Sequence, residues 1–162
     1  ASLAQNESGR FEARWVRLRV ETTSAPWLRH GDVLDLPVAH AEGRLVLGEG
    51  VTLPETQVAL RYLRPTDGAP GVAGTQGESP ALFPANPAGS HGDVAGLVDA
   101  TGRILGLMPH PERNVESWHR PGWTRRTGDG ASGPSVGLTL FRNAVEHLLT
   151  APSPLTVNMS DQ

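Results

Sequence analysis

The stretch LGLMPHPER, positions 105–113, sets a histidine and a glutamate two positions apart just beyond an apolar run, with a proline on each side of the histidine. In extended backbone, residues i and i+2 lie about 6.6 Å apart and their side chains point the same way. Pro111 fixes its own φ and keeps His110 out of helical conformation. A glutamate so placed accepts the imidazole Nδ1–H and leaves Nε2 as a general base. His110 and Glu112 therefore read as the base and the orienting carboxylate of a nucleophilic enzyme. They also read as a surface His–Glu pair in a proline-rich loop, and the triplet alone does not separate the two. A base of this kind serves a nucleophile, and the 162 residues include no cysteine.

A serine is the next place to look. GPSVG, positions 133–137, fits the G-x-S-x-G pattern of hydrolase elbows. An elbow serine needs an apolar strand before it, and here the preceding residues are TRRTGDGAS. Ser135 fits better as the N-cap of the helix that follows. A serine hydrolase built on Ser135, His110 and Glu112 stands as a rival reading. His91, Asp93 and His119 are metal-ligand types, but their spacing matches no compact site, so no metal is expected. His30 and His147 read as surface residues. The corner VAHAEGR, positions 38–44, follows a strand with small residues. Such corners present backbone N–H groups to a carboxylate or amide, or simply turn a hairpin. Trp118 and Trp123 lie in a polar loop and suit an interface.

All 14 basic residues are arginines, and they are scattered in a chain of net charge −3. That leaves no basic stripe to track a phosphate backbone, so nucleic acid is not expected as a partner. No apolar run approaches the roughly 20 residues of a membrane span. Without cysteine there are no disulfides or thiolate metal sites. A cytoplasmic protein is the default expectation.

The elements that must hold these residues are mostly strands. RFEARWVRLRV, 10–20, alternates in the strand manner, and its apolar phase slips between Trp15 and Val16, which predicts a bulge. Short strands are expected at 35–40 and 44–50 around the AEG corner, and another at 57–63 with Val58, Leu60 and Tyr62 on one face. The start, ASLAQNESG, reads as a loop. Residues 64–80 form a long Gly/Pro-rich loop of a length that is usually functional or mobile. DVAGLVDATGRILGLM, 93–108, predicts two buried strands around a turn. From Ser135 the period becomes helical, with Leu138, Phe141, Ala144 or Val145, and Leu148 on one face. One helix is too few to cover so many strands in a doubly wound fold.

Four stretches, SGRFEARWV, PVAHAEGR, FPANPAGSHGDVAGLVDATGRILGLMPHPER and GLTLFRNAVEHL, together resemble the glutaminase component of phosphoribosylformylglycinamidine synthase, within the class I (triad) glutamine amidotransferases. The likeness runs from about Asn6 to Leu149 and covers the C-terminal two-thirds of that domain. It implies an α/β, flavodoxin-like fold with an open, mostly parallel sheet and helices, here truncated at the N-terminus and strand-rich. Residues 1–150 are then a partial amidotransferase domain whose nucleophile-bearing N-terminal part is absent, and 151–162 a disordered tail.

The resemblance also implies a chemistry, in de novo purine biosynthesis. A cysteine outside this chain attacks the side-chain amide of glutamine, His110 moves its proton and Glu112 orients His110. His40, Ala41, Glu42 and Gly43 lie beside bound glutamine, with Ala41 and Glu42 near its α-amino and carboxylate groups. Glutamine becomes glutamate and ammonia, and the ammonia passes to a synthetase subunit or domain that uses ATP and Mg; no cofactor is expected here. Arg113, Asn86 and Ser90 match the family pattern. Ala41 stands where the family has glycine in HGEG, and a methyl there would crowd a position needing φ > 0. Alone, the chain is expected to be inactive. The alternative is a non-catalytic binding or assembly module of the same fold.

Overall fold

The computed structural model describes residues 1–22, 24–64, 81–125 and 134–150. The expected long loop from 65 onward, the glycine-rich run 126–133 and the tail 151–162 lie outside the described residues. Among the described residues, seven strands and one α-helix carry the fold: β1 (Ser2–Ala4), β2 (Glu12–Val20), β3 (Val33–His40), β4 (Arg44–Val46), β5 (Val58–Tyr62), β6 (Val94–Val98), β7 (Leu105–Leu107) and α1 (Val136–Thr150).

β2 lies between β3 and β5 in the main sheet. Its even-numbered residues Val16, Leu18 and Val20 are buried and face a core with Leu36, Val38, Leu60, Tyr62 and Val98. Each such buried aliphatic side chain contributes about 1.5–3 kcal/mol relative to exposure. β2 pairs with β3 from Glu12↔His40 to Arg19↔Val33 in unbroken register. The expected bulge at Trp15/Val16 is therefore not there. Phe11 and Ala13 sit on the exposed face and Trp15 is half-buried, so the second apolar parity belongs to the other side of one regular strand. The register shifts lie in β5 instead, between Val58 and Arg61, where it pairs with β6.

The main sheet has the order β3-β2-β5-β6-β7, and β1 pairs with β4 in a second, two-stranded sheet. The start of the chain, expected as a loop, thus contributes a strand. Every pairing among the described residues is antiparallel. This departs from the mostly parallel sheet expected above. Parallel neighbours need a crossover connection, usually a helix, and α1, the one α-helix among the described residues, follows the last strand. The β6–β7 hairpin forms as expected, although β7 is only partly buried and Ile104 is 69% exposed.

α1 turns a different side to the core than its periodicity suggested. Val136 and Leu140 pack on the sheet, Gly137 is buried, and Asn143 donates Nδ2–H to the Trp27 carbonyl at 3.1 Å. Phe141, Val145 and Leu148, expected in the core, are exposed. The helix is apolar on more than one side, and the small side of its first turn is the one that fits against the backbone at 111–114.

Candidate active site

His110 is fixed by its main chain before its side chain does anything. Met108 N–H donates to the Ala95 carbonyl of β6 at 3.0 Å, and His110 N–H donates to the Pro37 carbonyl of β3 at 2.8 Å. Pro109 between them is fully buried. The chain then turns through a 3-10 turn, Pro111–Arg113, with His110 as its extended N-cap. Glu112 therefore sits one step into a turn and not along an extended strand. The pair forms nonetheless: His110 Nδ1 lies 2.6 Å from Glu112 Oε1. An ionised carboxylate only accepts, so Nδ1 carries the proton and Nε2 keeps its lone pair. The side chains are 34% and 57% exposed, respectively, so the pair is partly open to solvent.

The turn is clamped from behind. Asn114 is 1% exposed; it donates Nδ2–H to the Asp35 carbonyl at 3.2 Å and accepts from Gly137 N–H at 3.1 Å. A Cβ on Gly137 would collide with the carbonyl oxygens of Pro111 and Asn114. The first turn of α1 and the His110–Glu112 turn thus touch backbone to backbone.

The VAHAEGR corner is not a hairpin. β3 pairs with β2 while β4 pairs with β1, so the corner carries the chain from one sheet to the other. Two buried side chains hold it. Asn6, 3% exposed, donates to the carbonyls of Arg10 and His40, both at 2.8 Å. Its Oδ1 faces Gly43 N–H and His40 Nδ1, both at 3.0 Å. Ser90 Oγ bridges Gly43 O and Leu45 N–H, at 3.2 Å each. Asn86 in turn holds Ser90 through its carbonyl and N–H and donates to Asp93. The NPAGS stretch is therefore a brace for the corner. Asp93 also accepts Ala81 N–H at 2.7 Å, which makes it a structural residue.

Of the four corner residues, His40 and Gly43 are buried while Ala41 and Glu42 are exposed. A Cβ on Gly43 would run into the His40 ring. Ala41 is not in the left-handed region; among the described residues only Asp93 is a non-glycine with positive φ. The alanine is thus accommodated without strain.

His40 and His110 are electrostatic neighbours, and Glu12 is the cross-strand partner of His40. Burial, then the charge of His110, pushes the His40 imidazole below its ordinary value, opposed by Glu12. Burial works against ionising Glu12, yet hydrogen bonds from Ser8 and Arg14 and the charges of Arg14 and His40 outweigh it and hold that carboxyl low. Asn6 and Glu12 were not singled out in the sequence. A lone asparagine in a polar stretch and a glutamate inside a strand carry no local signal.

Ser135 precedes α1, and its carbonyl accepts Thr139 N–H at 3.0 Å. Its Oγ is buried with no hydrogen-bond partner among the described residues, so it neither caps the helix nor hydrogen-bonds to His110. His119 closes a capping box with Glu116. Among the described residues no group of three or more His, Cys, Asp or Glu is arranged to hold a metal ion, and no helix is long and apolar enough to cross a membrane. Trp118 and Trp123 are both about half exposed.

Residues 1–148 match the family model described as a CobB/CobQ-like glutamine amidotransferase domain. The chain is 40% identical over 146 residues to the phosphoribosylformylglycinamidine synthase subunit PurQ of Dehalococcoides mccartyi, covering 90% of this chain and 52% of that protein. It is 34% identical over 158 residues to the PurQ subunit of Methanococcus maripaludis, covering 91% and 54%. In the solved structure of PurLQS from Thermotoga maritima, a chain 29% identical superposes with a TM-score of 0.59, covering 91% of this chain and 52% of that one. The chain spans about half the length of the curated relatives it matches.

Proposed function

Because this chain belongs to the CobB/CobQ-like glutamine amidotransferase domain family, we propose that it supplies the base-and-carboxylate half of a glutaminase serving phosphoribosylformylglycinamidine synthase in cytoplasmic purine synthesis. The observation that carries the reading is the 2.6 Å contact between His110 Nδ1 and Glu112 Oε1. It fixes the tautomer that a triad base needs. The nucleophile is a cysteine thiol from outside these 162 residues, in the portion of the relatives that the match leaves out. The parallel, flavodoxin-like part of the sheet belongs to that same portion.

In this mechanism His110 Nε2 takes the thiol proton, and Glu112 stabilises the imidazolium through Nδ1–H. The thiolate attacks the carboxamide carbon of glutamine. As the carbon–nitrogen bond breaks, His110 returns the proton to the leaving nitrogen, and ammonia departs from a thioester. His110 next activates the water that releases glutamate and restores the thiol. The braced His40–Gly43 corner lines the glutamine side of the site. Ammonia goes on to the synthetase partner, where ATP and Mg do their work.

The test is a fusion of this chain to the portion of the Dehalococcoides mccartyi protein that the match leaves out. The fusion is expected to release glutamate from glutamine. A folded fusion that retains the thiol and releases none leaves the chain as a non-catalytic module of the same fold.

A further inference from the structure

β3 covers nearly the whole length of β2, but β5 covers only part of it. Register with β3 runs from Glu12 to Arg19, whereas β5 pairs with Leu18, Arg19 and Val20 alone. Backbone groups alternate along a strand. Val20 bonds on the β3 side, donating to the Asp32 carbonyl at 2.9 Å and accepting from Gly31 N–H at 3.0 Å. Arg17 and Glu21 bond on the β5 side, to Leu63 N–H at 2.8 Å and to the Ala59 carbonyl at 2.9 Å. The odd-numbered residues of β2 therefore aim N–H and C=O at the β5 side. Ala13 and Trp15 aim theirs past the end of that pairing and find no backbone partner among the described residues.

A cleft of about 590 Å³ opens at this place. Arg14, Trp15, Val16 and Arg17 line it in succession, so it follows the strand edge and meets both faces of the sheet. Arg14 lies on the core side, across from Val38, and Arg17 on the other, across from Asp35. Arg120 joins Arg17 there, and the two guanidinium groups share the one Asp35 carboxylate. Arg14 pairs with Glu12 and stacks over the Phe83 ring at 4.6 Å. Its buried Nε–H has no acceptor among the described residues. The charged residues lining the cleft are three arginines and one aspartate, in a chain of net charge −3.

An open strand edge is a template for another extended chain. A second copy of this chain fits badly. Edge on edge, it presses one arginine-rich seam against another, and such like-charge juxtaposition is costly. A segment rich in carboxylates gains where the copy loses. We propose that the open half of the β2 edge takes an extended acidic segment of a partner polypeptide as an added strand. The segment's residue opposite Trp15 exchanges both main-chain hydrogen bonds with it and carries its side chain on the face of Arg17 and Arg120. The next residue, opposite Arg14, points to the other face. Two adjacent acidic residues thus meet both sets of arginines. The proposal stands independently of the glutaminase reading.

The test adds short peptides to the nitrogen-15-labelled chain and reads its backbone amide signals. The probe is a capped peptide with two adjacent glutamates flanked by valine and threonine. One control carries two glutamines in their place, and another keeps the glutamates with both of their nitrogens methylated. The glutamate peptide is expected to shift the Ala13 and Trp15 amides and to slow their exchange with solvent. The glutamine peptide is expected to bind roughly tenfold more weakly, and the methylated one to lose the slowed exchange at Trp15. Equal binding of all three peptides, or no shift at Trp15 at about 10 mM glutamate peptide, would overturn the proposal. The same shifts on raising the chain concentration alone would make a second copy the occupant, and the same shifts with inorganic phosphate would make the cleft a simple anion site; either result overturns it as well.

Discussion

Gly137 N–H donates to the Asn114 carbonyl at 3.1 Å, and the Gly137 Cα faces the backbone of the His110–Glu112 turn so closely that a Cβ has no room. The helix start and the His110–Glu112 turn meet in a single close contact. Gly137→Ala must push them apart. Overpacking of this kind costs typically 1–3 kcal/mol. Urea unfolding of the chain is expected to show a loss in that range. A Gly137→Ala protein as stable as wild type would mean that α1 does not seat on the turn.

The β6–β7 hairpin gives a pH-dependent prediction. Asp99 accepts from the Thr101 hydroxyl and from the backbone N–H groups of Thr101, Arg103 and Ile104. The Thr101 side chain foremost, then the Ile104 N–H, holds its pKa at about 2. A folded pKa below the unfolded value means that the carboxylate stabilises the fold above its unfolded pKa of about 3.9, and that this is lost as pH falls through the folded value. Wild type is expected to be more stable than Asp99→Asn at neutral pH, with the gap closing between about pH 4 and pH 2. A gap that does not change with pH would contradict the role of the charge.

The helix and the corner show what the sequence could and could not convey. His110 and Glu112 were legible because their partnership is local: two residues apart, with a proline to shape the backbone. The bracing of His40 was not, because Asn6 lies 34 positions away and joins only when β1 and β4 pair. The strands were legible from alternation. Which face of a strand or helix finds a partner was not. Leu138, Phe141, Val145 and Leu148 do share a face of α1, yet it is Val136 and Leu140 that pack against the core, with Gly137 buried between them. Likewise, the two apolar parities of β2 suggested a bulge where the fold simply uses both faces. The corner at 41–43 read as a hairpin turn because its two flanking strands adjoin in sequence, although they belong to different sheets.

Trp118 and Trp123 stand about half exposed on two 3-10 turns. Arg120 between them pairs with Asp35 of β3, the strand whose Pro37 carbonyl holds His110. The loop is thus anchored to the frame of the site while its indoles face outward. Such anchored aromatics are the residues that dominate interfaces. Alanine at either position is expected to change the stability of the chain by no more than about 0.5 kcal/mol. It should weaken binding to the proposed synthetase partner by about 2 kcal/mol or more, roughly thirtyfold in Kd. Titration of the partner with wild-type and variant enzyme reads the difference, and unchanged affinity would remove the tryptophans from the interface.

The most direct measurement is synthase activity of the assembled enzyme carrying His110→Asn, supplied in turn with glutamine and with free ammonia. Glutamine-dependent synthesis is expected to fall by at least about a hundredfold, and ammonia-dependent synthesis to persist, because in the proposed mechanism His110 acts only on the amide. Glutamine-dependent synthesis that survives the substitution, or loss of both activities together in a folded enzyme, would contradict the role assigned to His110.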